Sequence, residues 1–370
     1  MIKPRILSLS LAVLLGSVLS AHAAEPFLLC VPNSPEKQIV PLVIDPSVVE
    51  AEVRRGAPVE LPSGGSGIAY NAHRRQLLVT QSGKGPSDVT TIQIGKDAGL
   101  QLVGSSLLDR PSGYTSVDRT GQFFLTVSYG SGDVAVYQIK KDGIVGAMSD
   151  SFVAPRKEAH CLLPTPDNRF AYVPCVKNNN ALYQFMFDSD EGTLRPLDPF
   201  DARPPAMFGP RHVAYHPSLP IAYFSNEQQL GVSVYEIADN GQLTGIQHAQ
   251  TMPRRSPFVQ GKRGMHASDV VIAPDGKLLF VAVRDFIASE DSVFAFRVGE
   301  DGKLSLASRS KVGDIPWKLA LSPDGQHLVV SESGDQTLSI WKVHEDGNLQ
   351  KVVGLDWGSA VRDMVAISIE

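Results

Sequence analysis

Four polar side chains of this chain combine proton transfer with the stabilisation of negative charge. They are His160, Arg211, Glu227 and Arg284. Histidine titrates near neutral pH and can act as a base, and arginine can stabilise an oxyanion or bind a carboxylate. Two interpretations are open at this point, because a lone histidine or an Arg–Glu pair often serves packing alone.

The four residues occupy matching positions around turns of the chain. His160 and Arg211 each stand six residues before the proline of a turn, and Glu227 and Arg284 each stand ten residues after one. In an antiparallel hairpin, the start of the first strand and the end of the second lie at the same end. We therefore expect all four side chains at one face of the molecule, with Arg211 opposite Glu227. This common register favours a functional site.

The turns belong to a strand–turn–strand unit that recurs about every fifty residues. The last turn residue falls at positions 75, 121, 168, 219, 276 and 325. Alternating apolar residues follow each turn, as expected for a β-strand with one buried face. A regular period in this range is typical of a β-propeller.

The chain ends within a seventh unit. Residues 361–367 have the pattern of one inner strand without partners, and strand-like segments at 27–31 and 38–44 precede the first unit. Completing the last blade with N-terminal strands removes an exposed sheet edge. The sequence therefore predicts an all-β fold, a seven-bladed β-propeller whose ring is closed by N-terminal strands in the C-terminal blade.

The first 24 residues have the pattern of a signal peptide. A basic start with Lys3 and Arg5 precedes an apolar stretch at 6–19 and the small-residue site Ala21-His22-Ala23. The pattern predicts cleavage after Ala23 and a propeller domain over residues 25–370. The apolar stretch is too short for a membrane anchor. We expect a periplasmic or secreted protein.

The charge pattern argues against nucleic-acid binding. The chain has 34 Lys and Arg against 39 Asp and Glu, a net charge of −5, with both signs interspersed. No basic stripe of the kind that nucleic acids require is present. One basic cluster, at positions 254, 255, 262 and 263, is interpreted either as a solvated loop or as a rim that attracts anions.

Three cysteines, Cys30, Cys161 and Cys175, lack the spacing of a metal site. Cys161 and Cys175 are symmetric about the turn at Asn168, so a regular hairpin would place them opposite one another. The sequence leaves two alternatives, a disulfide or two buried free thiols.

Around the four polar residues the sequence resembles the seven-bladed lactonases, which include propeller-type 6-phosphogluconolactonases and carboxy-muconate lactonizing enzymes. The likeness covers residues 112–346, and the motifs that carry it are Glu158-Ala159-His160, Gly209-Pro210-Arg211-His212, Asn226-Glu227 and Arg284. The resemblance implies a pocket for a small-molecule lactone and catalysis without a metal or other cofactor.

The resemblance also implies roles for individual residues. His160 is the expected base that activates water. Glu227 is expected to orient water or the histidine, with the role of base as its alternative. Arg211 and Arg284 would polarise the carbonyl or hold the substrate. Further substrate contacts are expected from Trp317, His212 and Asn226.

One departure from the family pattern bears on the substrate. Where the sixth unit of the family often has an arginine after proline, this chain has Trp317, an aromatic residue suited to stacking on a sugar ring. Together with the signal peptide, it predicts an unphosphorylated sugar lactone such as glucono-1,5-lactone. The alternative is a non-catalytic propeller that binds a sugar, peptide or protein, and a third option is a muconate-type lactonizing enzyme. The oligomeric state is open.

Overall fold

The computed structural model describes residues 24–47, 51–81, 87–153, 155–251, 258–259 and 262–369, and every regular element in these ranges is a β-strand. Residues 1–23 of the predicted signal peptide lie outside the described part of the chain, as do the side chains of the basic cluster.

Six four-stranded antiparallel sheets follow one another along the chain and form the first six blades. The first three consist of β5 (Gly67–Asn71), β6 (Gln76–Thr80), β7 (Asp88–Ile94) and β8 (Leu100–Leu107); β9 (Tyr114–Val117), β10 (Phe123–Val127), β11 (Asp133–Ile139) and β12 (Val145–Val153); and β13 (Leu163–Pro164), β14 (Phe170–Cys175), β15 (Ala181–Asp188) and β16 (Thr193–Asp201). The next three consist of β17 (Pro210–Tyr215), β18 (Ile221–Asn226), β19 (Val232–Ile237) and β20 (Leu243–Ala249); β23 (Met265–Ile272), β24 (Leu278–Asp285), β25 (Ser292–Val298) and β26 (Leu304–Lys311); and β27 (Pro316–Leu321), β28 (His327–Glu332), β29 (Thr337–Val343) and β30 (Leu349–Asp356). A two-stranded ribbon, β21 (Phe258–Val259) and β22 (Lys262–Arg263), lies between the fourth and fifth blades.

The seventh blade joins the two ends of the chain, and this confirms the predicted ring closure. Its strands are β1 (Phe27–Asn33), β2 (Gln38–Asp45), β3 (Glu52–Arg55), β4 (Val59–Glu60) and β31 (Val365–Ser368). The C-terminal strand β31 pairs antiparallel with β1, with Leu28 opposite Ile367 and Cys30 opposite Val365. Four N-terminal strands, β1 to β4, therefore complete a blade whose innermost strand comes from the end of the chain.

The turns inside the blades require residues that adopt a left-handed backbone. Gly276 and Gly325 have φ angles of +75° and +71°. A Cβ atom on Gly276 would lie 2.7 Å from His216 Nε2, and one on Gly325 would lie 2.7 Å from Cδ of Pro274. Both the backbone conformation and the close approach of the preceding blade therefore explain glycine at the end of these turns.

The hydrophobic core is divided among the contacts between neighbouring blades. One cluster joins Leu78 of the first blade to Phe124 of the second, and another joins Leu28 of the seventh blade to Leu77 of the first. Six of these contacts join blades that follow one another in number, and the seventh joins the last blade to the first. The pairing of β1 with β31 links the two ends of the chain inside the last blade and so closes the ring.

The innermost strands of the fourth, fifth and sixth blades each contain a β-bulge. In the fourth blade the inner strand advances three residues while its partner advances two. The N–H of His212, which the bulge removes from the strand ladder, donates to Ser225 Oγ at 3.2 Å. In the sixth blade the N–H of Lys318 donates to Ser331 Oγ at 2.9 Å. A bulge redirects neighbouring side chains, and here it brings both Arg211 and His212 to the channel.

The same kind of irregularity decides the state of the cysteines. In the third blade the inner strand advances four residues while its partner advances three, so the regular hairpin assumed for a disulfide is absent. Cys161 packs between the third and fourth blades, and Cys175 packs between the second and third. Both are free and buried, as is Cys30. Burial raises the pKa of Cys161 to about 11 and that of Cys175 to about 12, which makes both thiols unreactive.

Candidate active site

One mouth of the central channel opens into a cavity of about 660 Å³ to which all seven blades contribute. The four polar residues expected at one face are all among its lining side chains, and so are His212 and Trp317. The lining residues are Ser66, Gly113, Tyr114, Tyr129, His160, Lys177, Arg211, His212, Glu227, His266, Arg284, Phe286, Trp317, Lys318, Arg362 and Asp363.

Asn226 lies outside this cavity. Its side chain is buried and donates through Nδ2 to Ser233 Oγ at 2.9 Å, and the same Nδ2 lies 3.2 Å from His248 Nδ1. The structure therefore contradicts the substrate-binding role expected for Asn226. Neighbouring residues of a strand point to opposite faces, so the side chain that follows, Glu227, reaches the channel instead.

Glu227 is the buried anion of the site. Its Oε2 lies 3.1 Å from Arg211 Nε and 3.4 Å from Arg284 Nη2, and its Oε1 lies 3.6 Å from His266 Nδ1. The predicted Arg211–Glu227 contact is therefore present. Burial alone would raise the pKa of Glu227, but the hydrogen bond from His266 and the charges of Arg284 and Arg211 hold it well below its usual value. Glu227 is ionised and engaged by donors, which makes it a weak base.

The two arginines retain donor capacity that no described residue uses. Arg211 and Arg284 are 0% and 3% exposed. Among the described residues, no hydrogen-bond partner exists for Arg211 Nη2 or Arg284 Nε. Buried donors are normally satisfied, and both side chains line the cavity, so these two nitrogens are candidates to bind a ligand oxygen. Burial and the charge of Arg211 lower the pKa of Arg284 to about 9.

Two histidines lie in line beside the arginines. His160 Nδ1 is 3.2 Å from His212 Nε2, and His212 Nδ1 is 2.7 Å from Asp269 Oδ1. Burial and the charge of Arg211 lower the pKa of His160 well below its usual value and that of His212 to about 4. Both rings are therefore neutral near pH 7. His160 therefore does not have the ordinary histidine pKa near working pH, because its ring is buried and lies beside a cation.

Trp317 reaches the mouth, but its ring is engaged by arginine. The guanidinium carbon of Arg362 lies over the indole at 3.7 Å from the ring centroid, and those of Arg284 and Arg211 lie at 4.5 and 5.5 Å. A sugar ring would have to share or displace these cation–π contacts. Stacking of substrate on Trp317 stays a prediction. The structure itself shows Trp317 in contact with arginine side chains.

The mouth contains more cations than the sequence analysis allowed. Lys177, Lys318 and Arg362 line the same cavity as the two predicted arginines. Lys177 lies 3.5 Å from Glu158, and Lys318 lies 3.2 Å from Asp269. The replacement of the family's arginine by Trp317 therefore does not leave the mouth without further cations.

Sequence reasoning also missed Asp269, Lys318 and His266. A signal for two of them was present, because His212, Asp269 and Lys318 each stand five residues before the proline of their turn. They occupy equivalent places in three consecutive blades, next to the positions that were used for prediction. His266 lies before a bulge, and nothing in the repeat register identifies it.

Within the described ranges, no group of three or more His, Cys, Asp or Glu side chains is arranged to hold a metal ion. The same residues contain no helix that is long and apolar enough to cross a membrane.

Fold and mouth together define a seven-bladed propeller with a polar site at one end of its channel. The family described as "Lactonase, 7-bladed beta-propeller" matches residues 53–362. The chain belongs to this family of lactone hydrolases.

Similar proteins fit this assignment. A 6-phosphogluconolactonase of Yersinia pestis (strain Pestoides F) is 29% identical over 294 residues, which cover 78% of this chain and 83% of the relative. A 6-phosphogluconolactonase of Cronobacter sakazakii is 28% identical over 255 residues, 68% of this chain and 73% of the relative. The periplasmic gluconolactonase of Pseudomonas aeruginosa shares the fold, with a TM-score of 0.79 at 22% identity, over 94% of this chain and 100% of that structure.

Proposed function

We propose that this protein hydrolyses a sugar lactone at the channel mouth. The observation that carries the proposal is the meeting of a neutral histidine, His160, with unused donors of two buried arginines in one cavity. Ester hydrolysis needs a base for water and donors for the oxyanion. The family assignment and the names of the relatives support this activity.

In the proposed reaction His160 accepts a proton from water while the water oxygen attacks the lactone carbonyl carbon. The carbonyl oxygen becomes an oxyanion, which Arg211 and Arg284 stabilise with their available N–H groups. The ring C–O bond then breaks, and the leaving alkoxide takes the proton back from the imidazolium of His160. The product is a hydroxy acid, and the enzyme returns to its starting protonation state.

Glu227 has a supporting role in this proposal. It accepts from both arginines and also from Gln228 Nε2 at 3.1 Å. A carboxylate that accepts several hydrogen bonds is stabilised in its charged form and gives up basicity. Its effect is to hold the two guanidinium groups together and to offset their mutual repulsion.

Glucono-1,5-lactone is the first proposed substrate, since a hydroxyl-rich ring suits the many donors and acceptors of the cavity. Its 6-phosphate is a second candidate, and a specific observation favours it: Lys177, Lys318 and Arg362 line the same mouth. The names of the curated relatives favour it too. Lys318 faces two carboxylates, Asp269 and Asp363, at 3.2 and 3.5 Å, so its charge is largely offset within the protein.

A substrate panel on the purified protein tests the proposal. It compares kcat/KM for glucono-1,5-lactone, its 6-phosphate and a muconolactone, each with and without a chelator. We expect hydrolysis of a sugar lactone that survives chelation, with the neutral lactone preferred. A preference for the phosphate would select the second candidate. Turnover of the muconolactone alone would select the third option of the sequence analysis, and inactivity on the whole panel would favour a non-catalytic binding propeller.

We also propose that the protein is exported. The pattern over residues 1–24 supports the proposal, and it would place the enzyme with free sugars outside the cytoplasm. Fractionation of expressing bacteria and intact mass of the product test it. A periplasmic protein whose mass corresponds to a start at Ala24 is expected, and a full-length cytoplasmic product would refute export.

A further inference from the structure

We propose that Asp269 is a positioning residue that fixes the tautomers of His212 and His160, so that His160 presents an unprotonated Nε2 to the lactone. The inference rests on the proposed lactonase activity. It gives a function to a buried carboxylate of the fifth blade that stands behind the cavity wall.

Asp269 is surrounded by hydrogen-bond donors. Its Oδ2 accepts the backbone N–H of Leu319 at 3.0 Å and lies 3.2 Å from Lys318 Nζ. Its Oδ1 lies 2.7 Å from His212 Nδ1. The side chain is 2% exposed, and the charge of Lys318 together with the bond from His212 outweighs burial and lowers its pKa. Asp269 is therefore an ionised, acceptor-only group, and the nitrogen that faces it must carry the hydrogen.

This contact determines the tautomer of His212. A neutral imidazole with its hydrogen on Nδ1 has an acceptor at Nε2. His160 Nδ1 lies 3.2 Å from this Nε2, within hydrogen-bond distance. Arg211 Nη1 lies at nearly equal distances from Nε2 and Nδ1, 3.3 and 3.4 Å, so it packs against the ring and does not select a tautomer. The contact with Asp269 therefore makes Nε2 of His212 the acceptor in its contact with His160.

The tautomer of His160 follows in turn. Its Nδ1 must donate to His212 Nε2, which leaves the lone pair of its own ring on Nε2. His160 is half-buried and lines the cavity, with Tyr129 packed edge-on at 5.6 Å between ring centroids. The base atom of the proposed reaction is therefore His160 Nε2. A carboxylate two rings away keeps it free of a proton.

An isosteric change at Asp269 tests this directly. In Asp269→Asn, an NH₂ group at the place of Oδ2 would face two donors, the N–H of Leu319 and the ammonium of Lys318, so this orientation is disfavoured. At the place of Oδ1 the NH₂ group faces only the ring of His212, and this ring can accept from it by changing its tautomer. His212 would then accept at Nδ1 and donate from Nε2, and His160 would carry its hydrogen on Nε2, where the lone pair is needed.

The expected kinetic result is a fall in kcat of about 10²- to 10³-fold for Asp269→Asn, the loss typical of an impaired general base, with little change in KM. Asp269→Glu keeps an acceptor-only group, although glutamate is one methylene longer than the aspartate it replaces beside His212. We expect it to retain most of the activity that the Asn variant loses. A merely structural role predicts the reverse order, because asparagine preserves the packing and glutamate does not.

The matched control is Asp118→Asn. Asp118 is also buried and also accepts several N–H groups, from Thr120, Gln122 and Phe123, but it does not line the cavity. We expect Asp118→Asn to lower the melting temperature without changing kcat or the tautomer of His160. A loss of activity in this control equal to that of Asp269→Asn would overturn the proposal.

Nitrogen-15 NMR of ring-labelled histidine reads the tautomers without any substrate. The His160 signals are assigned by their absence in His160→Gln. We expect hydrogen on Nδ1 of His160 and of His212 in the unmodified protein, and hydrogen on Nε2 of both in Asp269→Asn. A His160 ring with hydrogen on Nε2 in the unmodified protein would overturn the inference, even if the Asn variant fails to fold. If the expected tautomers are found in a protein that hydrolyses no lactone, the proposed function is refuted, but the role of Asp269 in fixing the two tautomers is not.

Discussion

At the residue scale, His160 owes its properties to the groups around it. Burial and the nearby charge of Arg211 disfavour its protonation, and Glu227 only partly compensates. A base with a lowered pKa is unprotonated over a wide pH range, and its conjugate acid returns a proton readily to a leaving alkoxide. In the proposed reaction Arg211 thus acts on both the oxyanion and the base, and Arg284 acts on the oxyanion.

Replacement of His160 by Gln is expected to reduce kcat by roughly two to four orders of magnitude, the usual contribution of a general base. The side chain is half-buried at a wet mouth, so the melting temperature should change little. Steady-state kinetics and thermal unfolding of the same preparation check both statements. Near-complete retention of activity would remove His160 from the mechanism and make Glu227 the remaining candidate.

The pH profile gives a second residue-scale prediction. Because the pKa of His160 is lowered, its base form persists as the pH falls through the ordinary histidine range. We therefore expect kcat/KM to stay level below pH 6.5 and to decline only in more acidic solution. Initial rates across the acid range, corrected for spontaneous lactone opening, test this. An acid limb centred near 6.5 would indicate an unperturbed histidine and contradict the arrangement.

At the element scale, the repeat predicts where the strands lie but not which residues of neighbouring strands pair with one another. Alternation and turn residues are local signals, so the six units and the closing strand could be read from the sequence. The extra residue in an inner strand has no local signal. Because of this extra residue, Cys161 is not opposite Cys175 as a regular hairpin would place it, and both thiols are free, which is one of the two alternatives that the sequence leaves open. His212, Asp269 and Lys318 contact one another beside such bulges, which sequence spacing does not show. Sequence spacing assumes a regular ladder, and the site is built where the ladder is irregular.

Removal of residues 365–370 tests the closure of the ring. The deletion takes away β31, exposes the edge of β1 and removes Ile367 from the contact between the seventh and first blades. Several kcal/mol would be lost, so we expect a melting temperature lower by about 10 °C or more, or an insoluble protein. A synthetic peptide of residues 361–370 should restore stability when added in trans, and a scrambled peptide should not. An unchanged melting temperature after deletion would mean that the ring does not depend on this strand.

At the scale of the whole molecule, several ionisable groups are held in the uncharged form by the fold. Among the described residues, the pKa is lowered, mainly by burial, for five histidines in three different blades: His160, His212, His216, His248 and His327. Asp291, with its pKa raised to about 6, and Asp363, also raised, act in the opposite direction. The balance of these groups sets the stability of the propeller in mild acid.

The last prediction follows from the sign of that balance. A histidine with a lowered pKa in the folded state contributes stability that is full above its unfolded value of about 6.5 and is lost as the pH falls through the folded value. The unfolded chain binds protons in this window and the folded chain does not, so the free energy of unfolding should fall between about pH 6.5 and 4.5. Five histidines oppose two aspartates, and Glu227 and Asp269, with pKa values already below this window, add their losses only in stronger acid.

Urea unfolding at pH 7.5 and pH 5 measures the difference in the free energy of unfolding. His248→Gln, which removes one of the five outside the cavity, should reduce that difference, whereas Asp291→Asn should enlarge it by removing an opposing group. Equal stability at the two pH values in both the unmodified protein and Asp291→Asn, with no change in His248→Gln, would contradict the lowered pKa values of the buried histidines.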